Sequence, residues 1–184
     1  LQPNIWPQDW KHAEFFRDSI QTYYQSACLV ANAIMKILCH GLVQKYPELE
    51  SALQPLMTTN NQDDASGATT TTSILTLLGY LKGSRHKGKN KGPLVAAHTD
   101  VGVMTMLLFD GGDDTCATLQ RSDGKGGWVD VNLPRRVPQD PIFVINIADC
   151  LSDLTGGKLP STIHRVVAKP ACSEKPRNCL ALFV

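Results

Sequence analysis

Short runs rich in aliphatic and β-branched residues recur from Pro93 to the last residue, each bounded by turn-forming residues. This feature restricts the fold most, because such spacing predicts many short strands that assemble into a β-sandwich or barrel. The runs are Leu94 to His98, Val103 to Phe109, Ala117 to Gln120, Trp128 to Val131, Ile142 to Ile147, His164 to Ala168 and Cys179 to Val184. A further strand is predicted from Ser73 to Leu81. The sequence therefore favours a mainly β fold.

The N-terminal part has a different pattern. From about Asp9 to Leu42, apolar residues recur at helical spacing, which predicts one long helix ending near Gly41. A helix of this kind is expected to pack outside the sheets. With 184 residues, the chain suits one domain over 1–184. We expect a helical part at 1–56 and a β core at 73–184.

Two segments have the composition of loops. Met57 to Thr72 is dominated by Thr, Asn, Asp and Gly, which bury little surface and favour turns. Gly83 to Gly92 is basic and glycine-rich, so like-charge repulsion and backbone entropy both oppose order. We interpret this second segment as a mobile surface loop rather than a phosphate-binding patch.

Charge and apolar content limit the expected partners. Lys and Arg number 18 against 17 Asp and Glu, so no strong net field favours nucleic acid or an anionic membrane. Uninterrupted apolar stretches such as Ile142 to Ile147 are far shorter than the roughly 20 residues that span a bilayer, and no secretory segment opens the chain. We expect a cytoplasmic monomer without nucleic-acid or membrane partners.

The cysteines indicate a reducing compartment. There are six, and none forms a Cys-x-x-Cys pair, which argues against a zinc knuckle and against a disulfide framework. We expect all of them to be free thiols. They are Cys28, Cys39, Cys116, Cys150, Cys172 and Cys179.

The segment His98-Thr99-Asp100 ends an apolar run. Alternate residues of a strand project from the same face, so His98 and Asp100 are predicted to point together. His164 begins another β run. Two histidines and one carboxylate leave roughly three positions open on an octahedral metal, as in non-haem iron(II) oxygenases. The His-x-Asp pair alone is common, however, and histidines that merely pack or face solvent would explain it equally well.

The surrounding residues resemble the motifs of the 2-oxoglutarate/iron(II)-dependent dioxygenases of the isopenicillin N synthase-like superfamily. Ala97–Leu107 is similar to the His-Thr-Asp-x-Gly-x-x-Thr-x-Leu motif of that family. Gly127–Val131 resembles its Gly-x-Trp-x-x-Val hairpin, and Val144–Asp149 its Val-x-Asn-x-Gly-Asp strand. Thr155–Ser161 and His164–Val166 continue the resemblance to the distal histidine.

This resemblance implies a double-stranded β-helix, or jelly roll, with a flanking helix. It implies Fe(II) bound by His98, Asp100 and His164, with 2-oxoglutarate as cosubstrate and O2 as oxidant. The implied reaction is oxidative decarboxylation of 2-oxoglutarate coupled to hydroxylation, desaturation or cyclisation of a small organic substrate. The substrate itself cannot be inferred from the sequence.

The resemblance also implies a cosubstrate pocket. Arg177 and Cys179 occupy the positions of the family's Arg-x-Ser motif, in which the arginine pairs with the far carboxylate of 2-oxoglutarate. Arginine suits this task because its planar fork binds a carboxylate through two hydrogen bonds. Tyr80 matches a tyrosine that commonly hydrogen-bonds the cosubstrate, although a core tyrosine is the simpler alternative. Arg165 should point away from the metal if His164 faces it, so we assign it a structural role.

Several positions depart from the family pattern. Cys179 stands where serine is usual, and a thiol is a weaker hydrogen-bond donor than a hydroxyl, so a weaker or altered cosubstrate pocket is expected. Ala148 replaces a glycine, and Tyr80–Lys82 stands where many relatives have Tyr-Pro-Pro. Asn146 and Asp149 match the pattern, and we assign them to bracing the site.

Three alternatives stay open at this point. The first is an oxidase of the same superfamily that takes all its electrons from the substrate and uses no 2-oxoglutarate. The second is a degenerate metal-binding or interaction module that keeps the fold without turnover. The third is zinc hydrolase chemistry, which is the least favoured because the sequence contains nothing similar to a general-base motif of such enzymes.

Overall fold

A computed structural model describes residues 4–58, 73–80, 92–109, 116–132, 142–169 and 176–184. The chain divides into two compact units. One consists of Leu1–Glu50 and Gln54–Thr71, and the other of Ser51–Leu53 and Thr72–Val184. The single domain over 1–184, with the helix outside the sheets, stays a prediction.

The first unit is built on the long helix α1, Ala13–Lys45, as the apolar spacing predicts. The buried side chains of α1 lie along one face, where the adjacent Ala27 and Cys28 are followed at steps of three or four residues by Ala31, Met35 and Cys39. The helix continues past Gly41, because one glycine inside a helix costs only about 1 kcal/mol. A short 3-10 turn, Pro47–Leu49, follows α1.

A second helix, α2, spans Glu50–Thr58 and was not predicted as a separate element within the helical part expected at 1–56. It contains Pro55 and has too few turns to show a clear helical period. Met57 and Thr58 therefore belong to a helix, where the composition indicated a loop. The rest of that predicted loop, and the basic segment from Gly83 to Lys91, lie outside the described residues.

By length and composition alone, α1 could also cross a membrane. Uninterrupted apolar runs do not reveal this property, because α1 is apolar over many residues but contains scattered charges. Core helices of water-soluble proteins have the same property, so this observation is weak evidence for a membrane span.

The second unit contains eight strands in two four-stranded sheets. The strands are β1 Ile74–Tyr80, β2 Val95–His98, β3 Met104–Phe109, β4 Ala117–Ser122, β5 Trp128–Asp130, β6 Phe143–Ile147, β7 His164–Ala168 and β8 Arg177–Phe183. One sheet has the order β1-β8-β3-β6 and the other β2-β7-β4-β5, and all pairs are antiparallel. Two four-stranded antiparallel sheets, with eight strands in all, form a jelly roll, as expected.

The core of this unit lies between the two sheets. Leu119 and Val166 of one sheet belong to a buried cluster that contacts Tyr80, Leu107 and Val144 of the other sheet. The predicted strands agree with the observed ones to within a few residues at each end. The short helix α3, Asp149–Leu154, was not predicted, because six residues are too few to show a period.

Gly102 shows why a glycine follows the His-x-Asp segment. The backbone N–H of Val103 donates to the carbonyl of Val184 over 2.6 Å, which brings the end of the chain against this turn. A Cβ atom on Gly102 would lie 2.5 Å from that carbonyl oxygen. The close backbone approach therefore requires glycine.

Candidate metal centre

The pairing of β2 with β7 sets the two histidines side by side. His98 is the last residue of β2, His164 is the first of β7, and the two are directly paired. Their ring centroids lie 4.3 Å apart. Asp100 follows two residues after His98, beyond the end of the strand.

The three predicted ligands converge on one point. Nε2 of His98 lies 3.7 Å from Oδ1 of Asp100, and Nε2 of His164 lies 3.8 Å from Oδ2. One ligand atom from each residue falls within 4.8 Å of the others. The Asp100 side chain is buried, whereas the His98 side chain is 42% exposed, so the cluster opens to solvent on the His98 side.

Each imidazole is oriented by a backbone carbonyl. Nδ1 of His98 lies 2.8 Å from the carbonyl oxygen of Ala96, and Nδ1 of His164 lies 3.0 Å from that of Thr162. A carbonyl can only accept, so these contacts require a proton on Nδ1. In the neutral ring, Nε2 then keeps an unprotonated lone pair, as a metal ligand must.

Asp100 is held through one of its two oxygens. Oδ2 accepts a hydrogen bond from the Thr105 hydroxyl at 2.7 Å and another from the Asn146 amide at 2.8 Å. Thr105 and Asn146 are directly paired between β3 and β6, so both side chains come from the same face of that sheet. Oδ1 accepts no hydrogen bond from the described residues and is available to a cation. This role of Thr105 was not predicted from the sequence.

A second set of contacts fixes the backbone beside Asp100. The N–H of Asp149 donates to the carbonyl of Asp100 over 2.8 Å, and the N–H of Cys150 to that of Gly102 over 3.1 Å. The Thr99 hydroxyl donates to the Asp149 carboxylate over 3.0 Å. The start of α3 is therefore tied to the turn after β2. The bracing role predicted for Asn146 and Asp149 is confirmed.

The residues predicted to hold 2-oxoglutarate also come together. Arg177 on β8 is directly paired with Tyr80 on β1, and Cys179 lies two residues further along β8. Arg177 is buried: its Nη1 donates to the carbonyl of Ala117 in the facing sheet over 3.1 Å, and its guanidinium lies 4.1 Å from the centre of the Phe109 ring. The guanidinium thus lies between the two sheets.

This environment shifts the pKa of the Tyr80 hydroxyl. Burial raises its pKa, the Cys179 thiol raises it further, and the Arg177 guanidinium lowers it. Tyr80 is therefore a neutral donor at ordinary pH. Cys179 is buried, and Asn178 between the two pocket residues is exposed, as strand alternation requires.

Arg165 has the structural role that was predicted. Its Nε donates to the Gln120 side chain over 2.8 Å, and its guanidinium lies 4.0 Å from the centre of the Trp128 ring. Gln120 is its direct partner across β4 and β7, so both project from the sheet face opposite to His164.

The donor set fits the metal that the sequence indicated. Two imidazole nitrogens and one carboxylate oxygen match the facial ligand set of non-haem Fe(II) sites, which leaves the remaining positions for other ligands. The orienting hydrogen bonds on each ligand are those that metal sites usually require.

Comparison with known proteins supports the family resemblance seen in the sequence motifs. Residues 38–184 match the family model described as "2OG-Fe(II) oxygenase superfamily". Clavatol oxidase claD of Penicillium crustosum is 29% identical over 170 residues, which cover 89% of this chain and 43% of that protein. The 2-oxoglutarate-Fe(II) type oxidoreductase hxnY of Emericella nidulans is 30% identical over 182 residues, covering 98% of this chain and 44% of that protein. This chain thus spans less than half the length of these relatives.

Solved structures show the same fold. A full-length Neurospora crassa protein, crystallised in complex with alpha-KG, aligns with a TM-score of 0.70 at 22% identity, covering 99% of this chain and 50% of that one. A putative oxygenase from Shewanella oneidensis aligns with a TM-score of 0.64 at 25% identity, covering 97% and 60%. These alignments confirm the jelly roll. The family match, with the His98, Asp100 and His164 donor set, confirms the expected cofactor set of Fe(II), 2-oxoglutarate and O2. Because the family model matches most of its length, the chain belongs to the 2OG-Fe(II) oxygenase superfamily.

Proposed function

We propose that this chain is the catalytic part of a 2-oxoglutarate- and Fe(II)-dependent dioxygenase that oxidises a small organic molecule. The observation that carries the proposal is the convergence of His98, Asp100 and His164 within 4.8 Å, inside the segment that matches the family. These three residues hold the iron. Bound there, iron(II) supplies the activation of O2 that is coupled to oxidative decarboxylation of 2-oxoglutarate.

The protein contributes orientation and charge around that iron. The carbonyls of Ala96 and Thr162 fix the Nε2 atoms toward the metal, and Thr105 and Asn146 fix the carboxylate of Asp100. Hydrogen bonds of this kind typically change metal affinity or activity by about 10- to 100-fold. None of these residues needs to transfer a proton.

Arg177 anchors the far carboxylate of 2-oxoglutarate in this proposal. It is buried between the sheets, and a guanidinium keeps its charge there. Tyr80 pairs with it across the sheet and is a neutral hydroxyl donor to the same cosubstrate. Cys179, on the same side of β8, borders the pocket.

The names of the relatives support a small-molecule substrate, since they include a clavatol oxidase and several 2-oxoglutarate-dependent oxidoreductases. Hydroxylation, desaturation and cyclisation all stay within the proposal. We further propose a cytoplasmic monomer without membrane or nucleic-acid partners. The described cysteines support a reducing compartment, because none of the five is in a disulfide bond. The sixth, Cys172, lies outside the described residues.

The test is a titration of 2-oxoglutarate into the anaerobic Fe(II) complex, followed by the visible charge-transfer band of the chelate. Arg177→Met should weaken 2-oxoglutarate binding by about 10- to 150-fold, because a charge-assisted hydrogen bond is worth about 1.5–3 kcal/mol. Its Fe(II) affinity should be nearly unchanged. Cys179→Ser should strengthen binding modestly, by about 0.5–1.5 kcal/mol.

Arg165→Met is the matched control. It removes the same charge one residue from His164, but from the opposite sheet face, so 2-oxoglutarate binding should be unchanged. If Arg177→Met binds 2-oxoglutarate as tightly as the wild type, the anchor is elsewhere. If the wild type consumes O2 with a substrate but forms no succinate, the oxidase alternative is correct. If it binds Fe(II) without any O2 consumption, the degenerate module is correct.

A further inference from the structure

Four side chains form a cross-strand row on the metal side of the second sheet. His98 pairs with His164 between β2 and β7, His164 pairs with Arg121 between β7 and β4, and Arg121 pairs with Val129 between β4 and β5. Directly paired residues project from the same face of a sheet. Arg121 and Val129 therefore continue the face that carries the two histidines.

Arg121 and His164 are close neighbours within this row. The N–H of Ser122 donates to the carbonyl of Ile163 over 2.8 Å, so Ser122 and Ile163 form a hydrogen-bonded pair. Bonded and non-bonded pairs alternate along an antiparallel ladder. Arg121 and His164 are therefore a non-bonded pair, in which the Cα atoms are only about 4.5 Å apart and the side chains are closest.

Within the described part of the chain, the guanidinium of Arg121 forms no ion pair. Its side chain is exposed and donates only to the carbonyl of Ser122, over 3.4 Å, and no described carboxylate lies within ion-pairing distance. Asp123 is nearby, but its carboxylate accepts the backbone N–H groups of Lys125 and Gly127, each over 2.8 Å. Those two bonds are the main cause of the lowered pKa of Asp123, and Arg121 is the smallest contributor.

Arg121 is also separate from the pocket of Arg177. Arg177 donates to the carbonyl of Ala117, at the other end of β4. Ala117 and Arg121 are four residues apart on one strand, or roughly 13 Å. Between them, Leu119 projects from the same face and is buried. The two arginines therefore serve different regions of the sheet.

We propose that Arg121 binds a carboxylate of the organic substrate beside the metal, which makes the preferred substrate class a small organic acid. The proposal rests on the proposed dioxygenase function and adds the substrate class to it. Val129, on the next strand and 40% exposed, contacts an apolar part of the same molecule. An arginine suits this site because its fork fixes the orientation of a carboxylate as well as its position.

The experiment uses the anaerobic complex of the chain with Fe(II) and saturating 2-oxoglutarate. The probes are arylalkanoic acids such as 3-phenylpropanoate, each compared with its primary amide, which has the same carbon skeleton and no charge. Binding is read from the perturbation of the visible chelate band. For the wild type, we expect at least one carboxylate to bind about threefold to tenfold more tightly than its amide.

Arg121→Gln should abolish this preference, and Arg121→Lys should retain part of it. Lys125→Gln, which removes an exposed charge from the neighbouring turn, should leave it intact. The affinity for 2-oxoglutarate should be the same in Arg121→Gln as in the wild type. If Arg121→Gln weakens 2-oxoglutarate binding instead, Arg121 is a cosubstrate anchor and the proposal is wrong.

Two negative results have different meanings. If no chelate forms in the wild type, the dioxygenase function fails and this proposal fails with it. If the chelate forms but no carboxylate binds more tightly than its amide, or if the preference survives in Arg121→Gln, the substrate class alone is wrong.

Discussion

The hydroxyl of Thr105 donates a hydrogen bond to Oδ2 of Asp100 over 2.7 Å, and both side chains are buried. This contact holds Oδ2 in place beside His164, and the other carboxylate oxygen, Oδ1, lies 3.7 Å from Nε2 of His98. The geometry of the proposed iron site therefore depends on a residue that cannot itself bind the metal in this arrangement.

Thr105→Val is expected to lower the Fe(II) affinity by about 10- to 100-fold, because it removes an orienting hydrogen bond and leaves the shape of the side chain nearly unchanged. Anaerobic equilibrium dialysis with Fe(II) measures this. Thr118→Val is the control, since Thr118 is also buried on a strand but, among the described residues, donates only to the carbonyl of Leu119. Equal Fe(II) affinity in the two variants would show that Thr105 does not position Asp100.

Much of the iron site could be predicted from the sequence because its geometry is local. Strand alternation alone predicts that His98 and Asp100 project together and that Arg165 points away from His164. The proximity of His164 came from the resemblance to the family. The link from Thr105 to Asp100 depends on the register between β3 and β6, and the position of Arg121 depends on that between β4 and β7. Registers between distant segments are not visible in a local pattern.

The fold, like the iron site, could be predicted only in part from the sequence. The strands were predictable because apolar runs and turn residues alternate from Pro93 onward, and α1 because its apolar period extends over many turns. The helices α2 and α3 were missed because nine and six residues show too little of a helical period. Gly41 was predicted to end α1, but its neighbours favour helix strongly enough to continue past it.

Gly102→Ala is expected to lower the free energy of unfolding by about 1–3 kcal/mol, because its Cβ would lie 2.5 Å from the carbonyl oxygen of Val184 and the backbone would have to move. Gly41→Ala is the matched control. A Cβ at Gly41 meets nothing within 4 Å, and alanine favours helix, so stability should rise by up to about 1 kcal/mol. Urea denaturation measures both. A Gly102→Ala variant as stable as the wild type would refute the close approach.

The hairpin between β4 and β5 predicts a specific dependence on pH. The N–H groups of Lys125 and Gly127, which hydrogen-bond the Asp123 carboxylate, lower its pKa in the folded state. The stabilisation is therefore fully present above the unfolded pKa of about 3.9 and is lost as the pH falls through the folded value. Asp123→Asn should be less stable than the wild type at neutral pH, and the two should converge at acidic pH, once the pH has fallen below the lowered pKa of Asp123. Urea midpoints at both pH values test this, and an equal difference at both would argue against the ionised bond.

The central claim is that His98, Asp100 and His164 hold the iron. The most direct measurement is Fe(II) binding by anaerobic equilibrium dialysis to the wild type, His98→Ala and His164→Ala. His40→Ala, an exposed histidine on α1, is the control. We predict tight binding in the wild type and in the control, and a loss of more than about 100-fold in the other two variants, because two ligands cannot hold a labile divalent ion against water. Unchanged Fe(II) binding in either His98→Ala or His164→Ala would contradict the assignment.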